Sequence, residues 1–428
     1  MDVDIVVIGA GVAGLAASAR LRSLGRRFVV IEAGNRIGGR AWTSRPPGLG
    51  GLPFDQGAVW LHAAERNPLV PVLARAGVPL VDAEAVRSGR TRVGNAWATA
   101  EQSRDYDRAW SRYMDVAGEM LAGPSADARL ADVADELPGD PWALTIEAWE
   151  GPIIAAAPAA RLSLRDWSDN QLSGGNLMAR DGLGALLARV LGQDIDVRLG
   201  TEATAIAWDG GGPSGVAVET TGGTIRAKAC IVTVSTGVLQ TGAIRFIPDL
   251  PAATRDSIDA LPMGLATKVA LRASGEDRLD LPAFCTVDRQ IRDRAEPAVL
   301  VNAWPFGRDH VVAWIGADAA LDLAGHGPEE AAALVRDHLR NLFGARADRV
   351  FAGAEPVVTR WAEDRLFRGA YAYALPGHAG ARRRLAEPVG EGRLLFAGEA
   401  THPTLAGTVG GAYLTGLAAA DRAAAASR

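Results

Sequence analysis

An α/β fold is what the sequence predicts, and three observations predict it. The first residues, DIVVIGAGVAGLAASARLRSLG, read as a buried strand, a glycine turn and a helix, and RFVVIEAG adds a second buried strand, the opening of a βαβ unit. The last segment, GRLLFAGEATHPTLAGTVGGAYLTGLAAADRAAAA, is again a strand, a loop and a helix. Between these two nucleotide-binding patterns lies unlike material with no repeat at solenoid period. The expectation is therefore a discontinuous Rossmann-type domain assembled from distant segments, plus an α+β second domain. At 428 residues the chain has length for two or three such units and a large core.

The elements follow in order. From about Asn67 to Leu186 the pattern is mostly helical, with NPLVPVLARAG and DYDRAWSRYMDVAGEML set between Pro/Gly breaks, as in a helical insertion. From Ile195 strands return as IDVRLG, ATAIAWD, SGVAVETT and TIRAKACIVTVS, with turn signals DGGG and TGG, which suits a β-meander and a returning strand. After Pro248, TKVALRA, AVLVNAW and HVVAWIGA predict a second sheet. They precede a helix in PEEAAALVRDHLRNLFG, whose early glutamates suit the positive end of the helix dipole. On this reading residues 1–75, 183–264 and 350–428 form the cofactor domain, and residues 76–182 and 265–349 the substrate domain. The active site is expected between them.

Composition excludes several classes. With 48% hydrophobic and 22% charged residues the chain is globular, not disordered. A net charge of −5 without a basic block offers no footprint for nucleic acid and leans mildly toward cationic small molecules. Cys230 and Cys285 lack CxxC spacing, so neither a disulfide framework nor a thiolate metal site is expected, and no other cluster has metal-ligand spacing. MDVDIVVIGAG runs straight into a strand, and no apolar stretch approaches about 20 residues. A cytoplasmic protein without a membrane span is the expectation.

The chemistry begins at GAGVAG. Gly9, Gly11 and Gly14 follow a strand and precede a helix, where missing side chains let backbone approach a pyrophosphate at the helix N-terminus. Glu32 ends the next strand, at the spacing of a carboxylate that accepts ribose hydroxyls. Alone the glycines could mark only a tight turn; with strand, helix and acid in place they indicate a dinucleotide. Just beyond, NRIGGRAWT places Gly38, Gly39 and Arg40 as a second close-approach turn beside a fixed cation. A solvated surface turn is the plainer reading, but a nicotinamide enzyme has no need of this element, so it favours FAD.

These motifs, with DQGAVWLH, PMGLATK, RWAEDRLFRGAYAY and the terminal FAGEATHPTLAGTVGGAYLTG, stand in the same order as in flavin-dependent amine oxidases. The chain resembles that family over nearly its whole length and is most similar to its polyamine oxidases, whose signature around a substrate-side histidine is like GAVWLH followed by NPL. The resemblance implies roles. Of the 45 cationic residues all but Lys228 and Lys268 are arginine. Periodicity alone puts Lys268 on a strand face with Ala266, Ala270 and Arg272, an ordinary solvated face. In the family, the lysine after the MG pair lies beside the flavin, holds a water near N5 and assists reoxidation by oxygen, and burial lowers its pKa.

The resemblance further implies that Glu399 contacts the ribityl or diphosphate part of FAD, beside Gly398. Thr408 and Val409, opening the last helix, favour negative charge on the reduced ring, although Thr408 is equally a simple helix cap. Ala33, Gly57, Ala58, Val59, Trp60 and Ala203 join the cofactor site. Trp361 and Tyr371 line the reactive face, with Tyr371 as one half of the two-tyrosine cage of monoamine oxidases and Thr408 at the place of the second tyrosine. Ala370 stands where those enzymes carry the flavin-linking cysteine, so FAD is expected to be noncovalent. Trp60 and His62 line a substrate tunnel, unless His62 is only a structural histidine. The implied reaction is hydride removal from the carbon beside a neutral amine, with imine hydrolysis and return of the flavin by O2 to give hydrogen peroxide. Partners are a small amine and O2, with no nucleic acid and no membrane, in a monomer or homodimer. The rivals are an L-amino acid oxidase, needing an arginine clamp for the carboxylate, and a flavoprotein that works by binding, such as a chromatin-type demethylase. The latter lacks a coiled-coil insertion or basic tail here.

Overall fold

The computed structural model describes residues 2–123, 127–209 and 215–427. Its organising element is a five-stranded parallel sheet. Ile5–Ile8 lies at the centre between Phe28–Ile31 and Ala229–Val232, with Val197–Arg198 and Leu394–Phe396 at the two edges. Segments from both ends and the middle of the chain thus share one sheet. The strands IVVI and ACIV are buried throughout, as runs covered on both faces must be. On one face helix Val12–Ser23 packs against helix Val409–Ala426, and alanine and glycine make the approach close: a Cβ on Gly416 would overlap the Ala13 carbonyl.

The meander is present as Ala203–Ala207, Val216–Thr220 and Gly223–Ala227, with Arg245–Ile247 added in parallel beside Ala203–Ala207. Lys228 separates TIRAKACIV into the last meander strand and the returning strand Ala229–Val232. IDVRLG supplies only the edge pair Val197–Arg198. The expected DGGG turn lies largely outside the described residues.

The second sheet has seven strands in the order Val357–Val358, Ala266–Arg272, His310–Gly316, Val299–Ala303, Cys285–Arg289, Ser88–Val93 and Ala96–Trp97. Three of these were legible as strands. Ser88–Val93 was not, and it corrects the expectation of a mainly helical stretch: SGRTRV is polar and its parallel partner, Cys285–Arg289, is far away in sequence. Leu80–Asp82 and Leu177–Ala179 likewise form strands inside that stretch. The helices Leu69–Arg75 and Ala100–Ala122 are found there as expected, the second closed by a Thr99/Gln102 capping box.

Alternation along this sheet decides what faces the site. Val269, Leu271, Val311, Ala313, Val301 and Val287 turn to one side and pack with helix Pro328–Phe343 through Ala332, Val335 and Leu339. The opposite side carries Lys268, Trp314, Leu300, Asn302, Thr286 and Asp288, and pairing brings Lys268, Trp314 and Leu300 into one row. Lys268 therefore does share a face with Ala266, Ala270 and Arg272; the face is exposed only at Arg272, is buried at Ala270, and lines a cavity at Ala266 and Lys268. No helix among the described residues is long and apolar enough to cross a membrane.

Candidate active site

A cavity of about 1320 Å³ lies between the carboxyl ends of the parallel strands and the lysine-bearing face of the second sheet. Gly9, Glu32, Thr233 and Gly398, each just past a parallel strand, all line it, as expected of ligand sites in open α/β sheets. At one end Gly9 (φ 99°) turns the chain into helix Val12–Ser23. That helix has neither a side-chain cap nor an acid in its first turn, leaving its first amides free for an anion. Gly11, Val12 and Ala13 line the cavity. Gly14 does not: a Cβ there would overlap the Gly9 carbonyl, so this glycine fits helix to turn and is not itself in the cavity wall.

The Glu32 carboxylate accepts from the amides of Ala10 (2.8 Å) and Gly34 (2.7 Å), and Ala33 lies beside it in the wall. The second glycine turn meets the first directly. Gly38 N donates to Ala10 O (2.8 Å), and a Cβ on Gly39 would sit 3.0 Å from the Gly11 Cα. Arg40 Nη1 donates to Ala370 O and to Glu399 Oε1, both at 2.8 Å. Glu399 also accepts from Ala372 N and Gly407 N (3.1 Å each), so the Arg40–Glu399 pair ties together three loops that line the cavity. Gly57, Ala58, Val59, Trp60 and Ala203 are in the wall, and a side chain on Gly398 would enter open space. An uncapped helix end, two touching glycine turns and a carboxylate at the end of the second parallel strand fit FAD.

At the other end Lys268 is 4% exposed. Its Nζ donates to Asp55 O (2.8 Å) and to Gly57 O, and lies 4.3 Å from the Trp314 ring centroid; Trp314 in turn stacks on Trp60 at 5.2 Å. Burial pushes the ammonium down to about 7, with the Asp55 carboxylate opposing. His62 Nδ1 meets Asn176 Oδ1 at 2.7 Å, and the Asn176 amide donates to Glu84 Oε1, which orients it as an acceptor for an Nδ1–H. Burial lowers the His62 pKa, keeping the ring neutral at neutral pH.

Tyr371 OH donates to Ile154 O (2.7 Å), and its ring lies against Gly407. Thr408 Oγ1 donates to Leu405 O and accepts from Gly411 N, so its hydroxyl is a true cap while the residue lines the cavity with Tyr371 and Val409. Trp361 Nε1 donates to Gln56 O (3.0 Å), and its ring stands edge-on to Trp42 and Phe367.

Beyond Glu32 and Glu399, sequence reading missed the cavity's buried acids. Asp288, 9% exposed, accepts from Trp149 Nε1 (2.7 Å) and Tyr106 OH (3.4 Å). Glu150, 4% exposed, accepts from Trp167 Nε1 (2.8 Å) and Gln171 Nε2 (3.5 Å). Burial raises both carboxyls, and no lysine or arginine among the described residues pairs with either. Glu150 opens a π-helical turn, Trp149–Ala155, of a kind that recurs at functional sites. By contrast Asp166, also in the wall, forms a two-pronged pair with Arg382 at 2.7 and 2.8 Å; Arg382 further donates to Ala372 O and Ala400 O, bracing the loops of Tyr371 and Glu399. The only signal for these in the sequence was an acid beside tryptophan, in WEGPIIA and in LRDWSD.

The model of a family described as flavin containing amine oxidoreductases matches residues 12–424. A protein of Arabidopsis thaliana named "Probable polyamine oxidase 4" is 30% identical, the match covering 98% of this chain and 86% of that one. "Lysine-specific histone demethylase 1 homolog 3" of Oryza sativa subsp. indica is 29% identical, over 96% of this chain but only 53% of that protein. Among solved structures, a double mutant of putrescine oxidase superposes with a TM-score of 0.80 at 20% identity, covering 99% of both chains. Cyclohexylamine oxidase from Brevibacterium oxydans IH-35A does so with 0.79 at 22%, covering 100% of both. The last two likenesses show the fold.

Proposed function

The chain belongs to the flavin-containing amine oxidoreductase family, an FAD oxidoreductase acting on amines, and from that premise we propose that its substrate is a di- or polyamine and its electron acceptor O2. One observation carries the substrate class. Asp288 and Glu150 are buried carboxylates inside the cavity, held by neutral donors only, whereas among the described residues the other buried acids, Glu147, Asp166 and Glu399, each pair with arginine. Buried charge is normally compensated. A ligand that brings ammonium groups into the cavity supplies the missing cations, and Tyr106, Trp110, Trp149 and Trp167 around the acids suit its methylene stems.

The glycine turns at 9–11 and 38–39, the free helix N-terminus, Glu32 and the Arg40–Glu399 pair would hold FAD. Bound FAD supplies the acceptor for a hydride. With Ala370 at the linkage position and both cysteines buried elsewhere, the cofactor is held noncovalently. Tyr371 and Trp361 wall the place where the reacting nitrogen sits, and the acids anchor the far end, so that one C–H of the chain is presented repeatedly in one pose. The low polarity around the site favours a neutral amine at the reacting end, while Lys268 holds or gives up a proton at Nζ near neutral pH. The division into a cofactor domain (1–75, 183–264, 350–428) and a substrate domain (76–182, 265–349), with the site between, belongs to this reading, as does a monomer or homodimer. An L-amino acid would need an arginine to clamp its carboxylate; among the cavity's arginines Arg40, Arg87, Arg365 and Arg382 are paired with acids, Arg90 stacks on Trp97, and Arg368, which has no acid partner among the described residues, is exposed on the loop beside Gly237.

The test is anaerobic mixing of the purified yellow holoenzyme with spermidine or 1,4-diaminobutane, against n-butylamine and L-leucine, followed by air and a peroxide assay. Flavin bleaching far faster with the diamine or polyamine than with n-butylamine or L-leucine, then peroxide, is the expected result. Equal bleaching by the monoamine or the amino acid overturns the substrate class, and bleaching without peroxide overturns the acceptor.

A further inference from the structure

A second chamber, of about 90 Å³, lies on the other side of Lys268. Its inner wall is shared with the main cavity through Val59, Trp60, Arg87, Lys268, Thr286, Asn302 and Trp314, so the lysine stands in a partition between two spaces. Most of the remaining wall is apolar, including Phe54, Met178, Ala179, Ala303 and Val312. Two buried polar atoms of this wall, Trp314 Nε1 and His310 Nδ1, have no hydrogen-bond partner. Asp55 also borders it, but its carboxylate is occupied by Thr43 Oγ1 and the amides of Leu183 and Gly184. The chamber thus offers no free anion to an amine. Burial holds His310 down to about 4, so it adds no cation at neutral pH.

At the outer end stands an aromatic pair. Phe284 and Phe306, both half-buried, meet edge-to-face at 5.1 Å, and the guanidinium groups of Arg180 and Arg308 lie 5.5 and 5.1 Å from the Phe306 ring. Arg308 latches this end by donating to Arg180 O (2.5 Å) and Pro53 O (3.2 Å). Both phenylalanines have left-handed backbones, φ 60° and 59°, a conformation costly for bulky side chains and one that concentrates where a structure is held for a purpose.

We propose that this chamber is a dioxygen site and entry path to Lys268, separate from the amine cavity and gated by Phe284 and Phe306. It is small, mostly apolar and offers no free carboxylate, which suits a neutral diatomic gas and not an amine. The proposal rests on O2 being the acceptor. In that step dioxygen gains two electrons and one proton from the reduced cofactor and a second proton from solvent by way of Lys268, and leaves as hydrogen peroxide.

Two measurements test it. In crystals of the holoenzyme pressurised with xenon, density is expected in the chamber. In stopped flow, enzyme reduced by dithionite is mixed with oxygenated buffer, so no amine is involved. Ala179→Leu, which fills the chamber, lowers the second-order rate constant about tenfold, and Phe306→Gly, which opens the gate and accepts its left-handed backbone, raises it several-fold, while anaerobic bleaching by amine stays at the wild-type rate in both. A chamber holding only ordered water under xenon, with both variants reoxidised at the wild-type rate, overturns the proposal. Wild-type enzyme that reacts no faster than free reduced flavin defeats the oxidase reading itself, a result distinct from indifferent variants of a fast wild type.

Discussion

Replacing Asp288 with asparagine removes one charge from the cavity and almost nothing else. The amide oxygen can still accept from Trp149 Nε1 and Tyr106 OH, which now hold the carboxylate at 2.7 and 3.4 Å, so the site's own hydrogen bonds survive. What is lost is the attraction for an ammonium. At about 3 Å and an effective dielectric near 20, Coulomb's law gives roughly 5 kcal/mol, reduced by the cost of stripping water from the cation. A net loss of about 3 kcal/mol, roughly two hundredfold in kcat/KM, is the expectation for 1,4-diaminobutane. n-Butylamine, with no distal charge, should change by less than about threefold, and this comparison is the assay. The free protein supplies a folding control. Burial raises the Asp288 carboxyl, so its contribution to stability is greatest below the unfolded value of 3.8 and is lost as pH rises through the folded pKa. Asparagine escapes that loss at neutral pH, and ligand-free Asp288→Asn should unfold no more easily than wild type. Equal losses for diamine and monoamine, in a variant that is fully folded, would refute the argument that the uncompensated carboxylate reads a distal ammonium.

Lys268→Met addresses the other charge. Lowering an ammonium from 10.5 to about 7 corresponds to a penalty of roughly 5 kcal/mol on its charged form, so this residue's contribution to stability rises with pH between those values. Reoxidation of reduced wild type should show an inflection near pH 7 that the methionine variant lacks, and Lys268→Arg, fixed in charge, should not restore it. Gly14→Ala forces a Cβ onto the Gly9 carbonyl and should yield protein with little or no bound flavin, measured as the ratio of flavin to protein absorbance. Asp166→Asn leaves Arg382, 3% exposed, without its counter-charge; about 3–5 kcal/mol of stability should be lost, read as a fall in melting temperature, with flavin binding weakened through the Tyr371 and Glu399 loops.

What the sequence determined by itself was local. A buried apolar run, glycines where backbone must come close, and a helix with no competing cap are properties of a few adjacent residues, so GAGVAG, Glu32 and IGGR were legible as the end proposed for the cofactor before any tertiary contact was known. The alternation around Lys268 likewise named its face. Whether that face met water or a ligand was settled only when helix Pro328–Phe343 covered the other side of the sheet and Trp60 stacked on Trp314. Ser88–Val93 could not be read as a strand because what makes it one is a partner on Cys285–Arg289, nearly 200 residues on. The acids are the clearest case. Asp288 and Glu150 are two of 50 acidic residues and look like any other until distant segments close a wall around them and bring no cation with them. Burial and the absence of a counter-charge are relations among residues far apart in the chain, and only the assembled fold contains them.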